Sequence, residues 1–258
     1  MRVTILGSGT LSPDSSRGSA AHLVETTGAH VLLDCGAGTV RSLAERGWEG
    51  LTHLILSHFH VDHVGDVPGL FWALAKGRPR PGPRPLTVLG PPGTNAWLAR
   101  VAAAFGDYIL APGAPLRVVE LGTGHWRDDT GAQLEVSVHP TPHADPSIAV
   151  RLETPGGATG YTGDTGPAAG LATFFAGVDV AISECGTREE ARRAGHLAPS
   201  DVAALWTRAD PGVLCLTHVD PVLGPAEAER RVRGAGYVGA LEMGWDGLTL
   251  PMEEAVGC

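Results

Sequence analysis

The segment His58-Phe59-His60-Val61-Asp62-His63 places three imidazoles and a carboxylate within six residues, directly after the apolar run Leu54-Ile55-Leu56-Ser57. Nitrogen and carboxylate donors at this density suit zinc or a similar divalent ion, and a buried strand has no packing use for them. A metal site is therefore the first expectation. Further donor-type residues stand at the ends of other apolar runs. Asp34 closes Leu32-Leu33-Asp34, and His143 follows Pro140-Thr141-Pro142. Asp164 closes Gly160-Tyr161-Thr162-Gly163-Asp164, Glu184 closes Ile182-Ser183-Glu184, and His218 closes Leu214-Cys215-Leu216-Thr217-His218. Each alone has a bland reading: Asp34 as a helix cap, Asp164 as a turn residue, a lone histidine as a satisfied core group. Together they describe strand ends meeting at one rim, which is how rigid supports preorganise a site. His22, His30, His53, His125 and His139 receive no role.

The supports themselves are short. Runs rich in Val, Ile, Leu and Thr predict strands over 2–6, 21–25, 31–34, 54–57, 86–89 and 116–120, then 134–139, 148–153, 159–162, 180–183, 213–217 and 248–251. Helical spacing predicts helices over 39–46, 95–104, 171–176, 199–208 and 225–233, with Pro199 and Pro225 as start signals and Gly234 as a stop. A β-rich beginning followed by alternating helices and strands predicts α+β or α/β layers in one domain, 1–258.

Composition narrows the class. With 258 residues, 43% of them hydrophobic and 18% charged, the chain is globular and long enough for one large core. A formal net charge of −9 disfavours extended nucleic-acid binding by charge alone. The stretch from Lys76 to Arg84, with Arg78, Arg80 and Arg84 among prolines, is the best basic patch, but short charge runs are usually just solvated, and a solvated Pro-rich loop is the favoured reading. Cys35, Cys185, Cys215 and Cys258 are far apart and read as buried thiols, not a disulfide framework. Met1 leads straight into strand-like Val3-Thr4-Ile5-Leu6, and no apolar stretch approaches a membrane span. A soluble cytoplasmic protein with no membrane contact is the expectation.

HFHVDH matches the HxHxDH signature of the metallo-β-lactamase superfamily, and His143, Asp164 and His218 match that family's later ligand positions in order. The resemblance runs from Ile5-Leu6-Gly7-Ser8-Gly9-Thr10 to Asp246-Gly247-Leu248. It implies an α+β four-layer αββα sandwich with the metals at one edge between two sheets. It implies two divalent ions, zinc before manganese or iron. His58, His60 and His143 would hold one, Asp62, His63 and His218 the other, and Asp164 would bridge them. Asp34 would orient a ligand imidazole from behind. Asp62, Glu184 and His196 form the catalytic set on this reading, with a hydroxide shared by the two ions as nucleophile.

The opening LGSGTLSPDSSRGSA, the segment YTGDT, Glu184 in Ser183-Glu184-Cys185-Gly186-Thr187 and His196 in Gly195-His196-Leu197 resemble ribonuclease Z and its phosphodiesterase relatives. The resemblance implies an auxiliary Glu184 and a proton-donating His196, although the residues around Glu184 depart from the usual HEAT sequence. His143 lacks the neighbouring glycines of the glyoxalase and lactonase branches, and the cysteine ligand of true β-lactamases is absent. Ribonuclease Z enzymes typically carry a long glycine-rich arm that grips tRNA. Only 20 residues separate His143 from Asp164, and the predicted strands use them. The resemblance thus points to a compact phosphodiesterase for a small or cyclic phosphodiester, with nucleic acid the less favoured partner and a homodimer implied. A ribonuclease Z-like tRNA 3′ endonuclease, an ester, thioester or lactone hydrolase, and a non-enzymatic metal-binding protein remain the alternatives. Ser12 and Arg17, on the first loop, are candidate substrate contacts whose other reading is turn and solvent contact.

Overall fold

Val31 and Leu33 pack into one apolar cluster and Leu32, between them, packs into another. Alternation along a strand sends successive side chains to opposite faces, so a strand apolar throughout needs cover on both sides. That requirement generates the layers. The computed structural model describes residues 1–76, 85–113 and 115–251. Arg78, Arg80, Arg84 and Cys258 lie outside the described residues.

The first sheet contains β1 (Arg2–Gly7), β2 (Ala21–Glu25), β3 (His30–Leu33), β4 (His53–Ile55), β5 (Leu86–Gly90), β6 (Leu116–Glu120) and β14 (Thr249–Pro251), in the order β14-β1-β2-β3-β4-β5-β6. The second contains β7 (Gly124–Arg127), β8 (Glu135–Pro140), β9 (Ile148–Thr154), β10 (Gly157–Tyr161), β11 (Val180–Cys185), β12 (Val213–Val219) and β13 (Leu241–Met243), in the order β13-β12-β11-β10-β9-β8-β7. Each sheet joins an antiparallel part to a parallel part: β3 to β6 run parallel in the first, β10 to β13 in the second. The chain therefore builds one pattern twice, which its residue spacing does not display.

Between the sheets lies a core that includes Val3, Ile5, Leu33 and Ile55 from one side and Val136, Val150, Leu152 and Ile182 from the other. The outer face of the first sheet is covered by α1 (Thr39–Leu43), α3 (Val67–Lys76) and α4 (Thr94–Phe105), through Leu43, Phe71 and Leu98. The outer face of the second is covered by α5 (Leu171–Phe174), α6 (Pro199–Ala209) and α7 (Pro225–Gly234), through Leu171, Trp206 and Val232. This is the αββα sandwich expected, each fully buried aliphatic side chain contributing roughly 1.5–3 kcal/mol. Among the described residues no helix is long and apolar enough to cross a membrane. Cys35, Cys185 and Cys215 are free, buried thiols.

Several elements differ from the sequence reading. The helix α3 went unpredicted because Val67-Pro68-Gly69-Leu70-Phe71-Trp72-Ala73-Leu74 is apolar almost throughout, which erases helical periodicity, and carries Pro and Gly. The edge strands β7 and β13 are four and three residues long, β7 mostly exposed and β13 mostly half-buried, too short for alternation to mark them. The predicted end of the strand at 217 falls short, because β12 continues through His218 to Val219.

One core position is costly. His22, on β2, is fully buried, neither ring nitrogen has a hydrogen-bond partner, and its ring stands edge-on to Tyr161 at 5.0 Å. Burial pushes its pKa down to about 3. Below the ordinary imidazole value of ~6.5 the unfolded chain takes up a proton that the folded chain refuses, so stability falls as pH drops from there toward 3. At pH 5 this one group removes about 2 kcal/mol. His22→Leu should therefore flatten the loss of denaturant stability between pH 8 and pH 5. An unchanged slope would show that other groups carry the acid sensitivity.

Candidate metal centre

The six-residue cluster is delivered by two kinds of backbone. β4 ends at Ile55, the chain bends at Ser57, and His60, extended with φ −66° and ψ 148°, caps the short helix α2 (Val61–Val64). Asp62 and His63 sit on that helix, the carboxylate in its first turn, where the helix dipole favours negative charge. His143 lies three residues beyond β8, and Asp164 three residues beyond β10. His218 is set by an irregularity: Glu184 pairs with Thr217 and Cys185 with Val219, leaving His218 as the extra residue. Its φ is +46°, and Asp34 at the end of β3 has φ +55°. A bulge of this kind re-aims a side chain, and left-handed non-glycine residues cost energy that the surrounding structure must hold in place.

Two donor sets result. His60 Nδ1 lies 3.0 Å from His58 Nε2 and 3.0 Å from His143 Nε2. On the other side, Asp62 Oδ2 lies 3.3 Å from His218 Nε2 and 4.0 Å from His63 Nε2. Asp164 stands between the sets with one oxygen toward each. Its Oδ2 is 3.5 Å from His143 Nε2 and 4.0 Å from His58 Nε2, while its Oδ1 is 3.4 Å from His63 Nε2 and 3.6 Å from His218 Nδ1. The seven residues expected as ligands are thus brought together, with none displaced.

The chemistry of the donors fits cations. Three neutral imidazoles cannot satisfy one another's lone pairs at a single point. Moreover His63 Nε2, Asp164 Oδ1 and His218 Nδ1 are buried without a hydrogen-bond partner, a costly state that a coordinated ion would relieve. Burial, with the neighbouring His63, pushes His58 down to about 3, which keeps its ring neutral and able to donate a lone pair to a cation. Burial works against ionised Asp62, but its bond to His218 and the nearby imidazoles outweigh that and hold it at about 2. His63 shows the same demand in reverse. Despite its burial, Asp164 and Asp34 raise it well above the ordinary imidazole value, so these carboxylates call for positive charge here.

Glu184 and His196 sit beside Asp164, the His196 ring 4.8 Å from that of His143 and 5.9 Å from that of His218. Glu184 is fully buried at the end of β11 and accepts hydrogen bonds from the backbone of Thr165 (2.7 Å), Gly186 (2.8 Å) and Leu197 (3.3 Å). Both its oxygens lie 3.2 Å from His196 Nδ1, which is also 4.0 Å from Asp164 Oδ2. Burial, then the Asp164 charge, raise the Glu184 carboxyl well above its usual range. Burial lowers His196. The loop from Glu184 to His196 therefore folds back to bring the two side chains together beside Asp164. Gly195 also contributes: its carbonyl accepts from His143 Nδ1 at 2.8 Å, so the peptide before His196 is tied to a donor of the first set.

A groove of about 700 Å³ opens beside Asp62, between the first loop and α1. Ser12 and Arg17 line it, as do Arg41, Arg46 and the exposed Leu11 and Val61, which sequence reasoning did not single out. Arg17 is held loosely, 4.0 Å from Asp14. The loop itself is pinned by Asp246, which accepts from Ser8 N, Ser8 Oγ and Gly18 N at 2.9, 2.8 and 2.6 Å. Only the Asp246-Gly247 turn near the end of the chain hinted at that anchor.

Residues 29–219 match the family described as the β-lactamase superfamily domain. The chain is 32% identical over 271 residues to a protein named Ribonuclease Z from Mycolicibacterium paratuberculosis, the match covering 95% of this chain and 96% of that one. Among solved structures, the metallo-β-lactamase fold protein YhfI from Bacillus subtilis superposes with a TM-score of 0.83 at 20% identity, over 96% of this chain and 98% of that one. The short form of human tRNase Z superposes with a TM-score of 0.79 at 20% identity, over 98% and 100%. The donor geometry and these likenesses agree: the chain belongs to the metallo-β-lactamase superfamily, has ribonuclease Z relatives within it, and is a metal-dependent hydrolase.

Proposed function

We propose that the protein hydrolyses phosphodiesters, most simply a small or cyclic phosphodiester, at a dinuclear centre. His58, His60 and His143 would hold one divalent ion, Asp62, His63 and His218 the other, and Asp164 both. Nitrogen and oxygen donors without thiolate favour zinc, with manganese or iron the alternatives. Two such ions supply a water ionised near neutral pH and neutralise charge building on the phosphoryl oxygens.

The observation that carries the reading is the Glu184–His196 pair, 3.2 Å apart at the rim of the donor sets. Hydrolysis of an alkyl phosphodiester expels an alkoxide, which needs a proton as it leaves. His196 is the group near enough to give one, and Glu184 fixes its ring. Ser12 and Arg17, at the groove beside Asp62, would meet the rest of the substrate. We read the chain, 1–258, as a single domain, which would suffice for this chemistry.

The relatives named Ribonuclease Z support a second reading, cleavage at tRNA 3′ ends, with RNA rather than a small molecule as substrate. Metal-loaded protein should turn over bis(p-nitrophenyl) phosphate, with His60→Ala reducing it at least about 100-fold through loss of a ligand. Wild-type turnover no faster than that of the variant would dispose of the phosphodiesterase reading. Cyclic nucleotides and a precursor tRNA at low salt then separate the two substrate classes, and a lactone or thioester panel tests carbonyl chemistry.

A further inference from the structure

We propose that Ser57 is a positioning residue through which a single carboxylate, Asp34, orients ligand imidazoles of both metal half-sites. The proposal rests on the reading of His58 and His63 as ligands of different ions. Asp34 is fully buried and surrounded by donors. Its Oδ1 accepts from the Ser57 backbone at 2.7 Å. Its Oδ2 accepts from Ser57 Oγ at 2.6 Å, His63 Nδ1 at 2.6 Å and, from the second sheet, the Tyr161 hydroxyl at 2.7 Å.

The donor count fixes where the protons are. A carboxylate with these partners only accepts, so the single hydroxyl hydrogen of Ser57 goes to Asp34. Ser57 Oγ lies 3.0 Å from His58 Nδ1 and, its own hydrogen being committed, can only accept there. His58 therefore carries its proton on Nδ1 and presents a bare Nε2, the nitrogen 3.0 Å from His60 Nδ1. The same carboxylate accepts from His63 Nδ1 and turns His63 Nε2 toward Asp164, 3.4 Å away. One side chain thus sets ring orientation in both donor sets, directly in one and through Ser57 in the other. Tyr161 holds that carboxylate from the opposite sheet, so the relay also spans the seam between the sheets.

Zinc affinity, measured by chelator competition on the full chain, tests the relay without any assay of turnover. Two backgrounds isolate the half-sites: His60→Ala leaves the second donor set, and Asp62→Ala leaves the first. In the Asp62→Ala background Ser57→Ala should weaken zinc roughly 10–100-fold, the range for loss of a group that orients a ligand. In the His60→Ala background Ser57→Ala should change it less than about threefold, because His63 keeps its own bond to Asp34. Asp34→Asn should weaken zinc in both backgrounds. Cobalt absorption of the first half-site should shift with Ser57→Ala, and Ser57→Thr, which keeps the hydroxyl, should restore it. Circular dichroism checks that each variant folds; if Asp34→Asn does not, the Ser57 arms still decide. Equal weakening by Ser57→Ala in both backgrounds, or none in either, overturns the relay. Absence of zinc binding by the wild-type protein would instead remove the dinuclear reading on which it rests.

Discussion

If the protein is a dinuclear phosphodiesterase, Asp164→Ala should lower kcat on any phosphodiester by at least about 10³-fold and leave the protein unable to retain two ions. The magnitude follows from losing both the ionised water and a preorganised charge at once, each alone being worth that order. Asp164 faces both donor sets: it offers Oδ2 to His143 at 3.5 Å and Oδ1 to His63 at 3.4 Å. The remaining charge cannot compensate. Asp62 lies on the second side only, against His218 and His63. Asp164→Asn retains one oxygen without the charge and should fall between alanine and wild type, keeping about one ion per chain. Elemental analysis after dialysis, with kcat measured on the same samples, checks both parts. A variant holding two ions and working within tenfold of wild type would remove Asp164 from the bridging position.

The metal cluster was legible in the sequence because its geometry is local. His58, His60, Asp62 and His63 are aimed by one short segment running into one helical turn, so spacing alone nearly determines their convergence. His143, Asp164 and His218 were legible only as donors at strand ends, and their common meeting point follows from sheet order, which spacing does not encode. The bulge at His218 and the left-handed backbone at Asp34 left no local signal, since neither residue is the glycine such φ values favour. The site imposes these conformations through partners distant in sequence: Ser8 O for His218 N, and Ser57, His63 and Tyr161 for Asp34. Ser57 went unread for the opposite reason. A small polar residue before a histidine cluster looks like a strand end, and only the direction of its hydroxyl reveals what it does. The two sheets repeat one topology, yet no repeat is visible in the chain, because packing restricts the strands to apolar residues without restricting which ones.

His196→Ala should separate substrates by their leaving group. A sugar alkoxide is a strong base and departs only with a proton, whereas p-nitrophenolate is stable near neutral pH and departs without one. If His196 donates that proton, the variant loses about 10²–10⁴-fold in kcat on a nucleoside-bearing phosphodiester, the usual range for general acid catalysis, and less than about tenfold on bis(p-nitrophenyl) phosphate. The pH profile should change with it. Burial lowers His196, so its acidic form is lost as pH rises through a value below the ordinary ~6.5, and wild-type kcat on the alkoxide substrate should decline there. The variant should lack that decline. Glu184→Gln should reproduce part of the effect by a different route. Glu184 accepts from three backbone N–H groups as well as facing His196, and an amide nitrogen would oppose either the donor at Thr165 or those at Gly186 and Leu197, depending on which oxygen it replaces. The His196 ring would then lose its fixed orientation, at a smaller cost than losing the ring. Equal losses on both substrates in His196→Ala would mean that the side chain binds or supports the fold, and that the proton for the leaving oxygen comes from elsewhere.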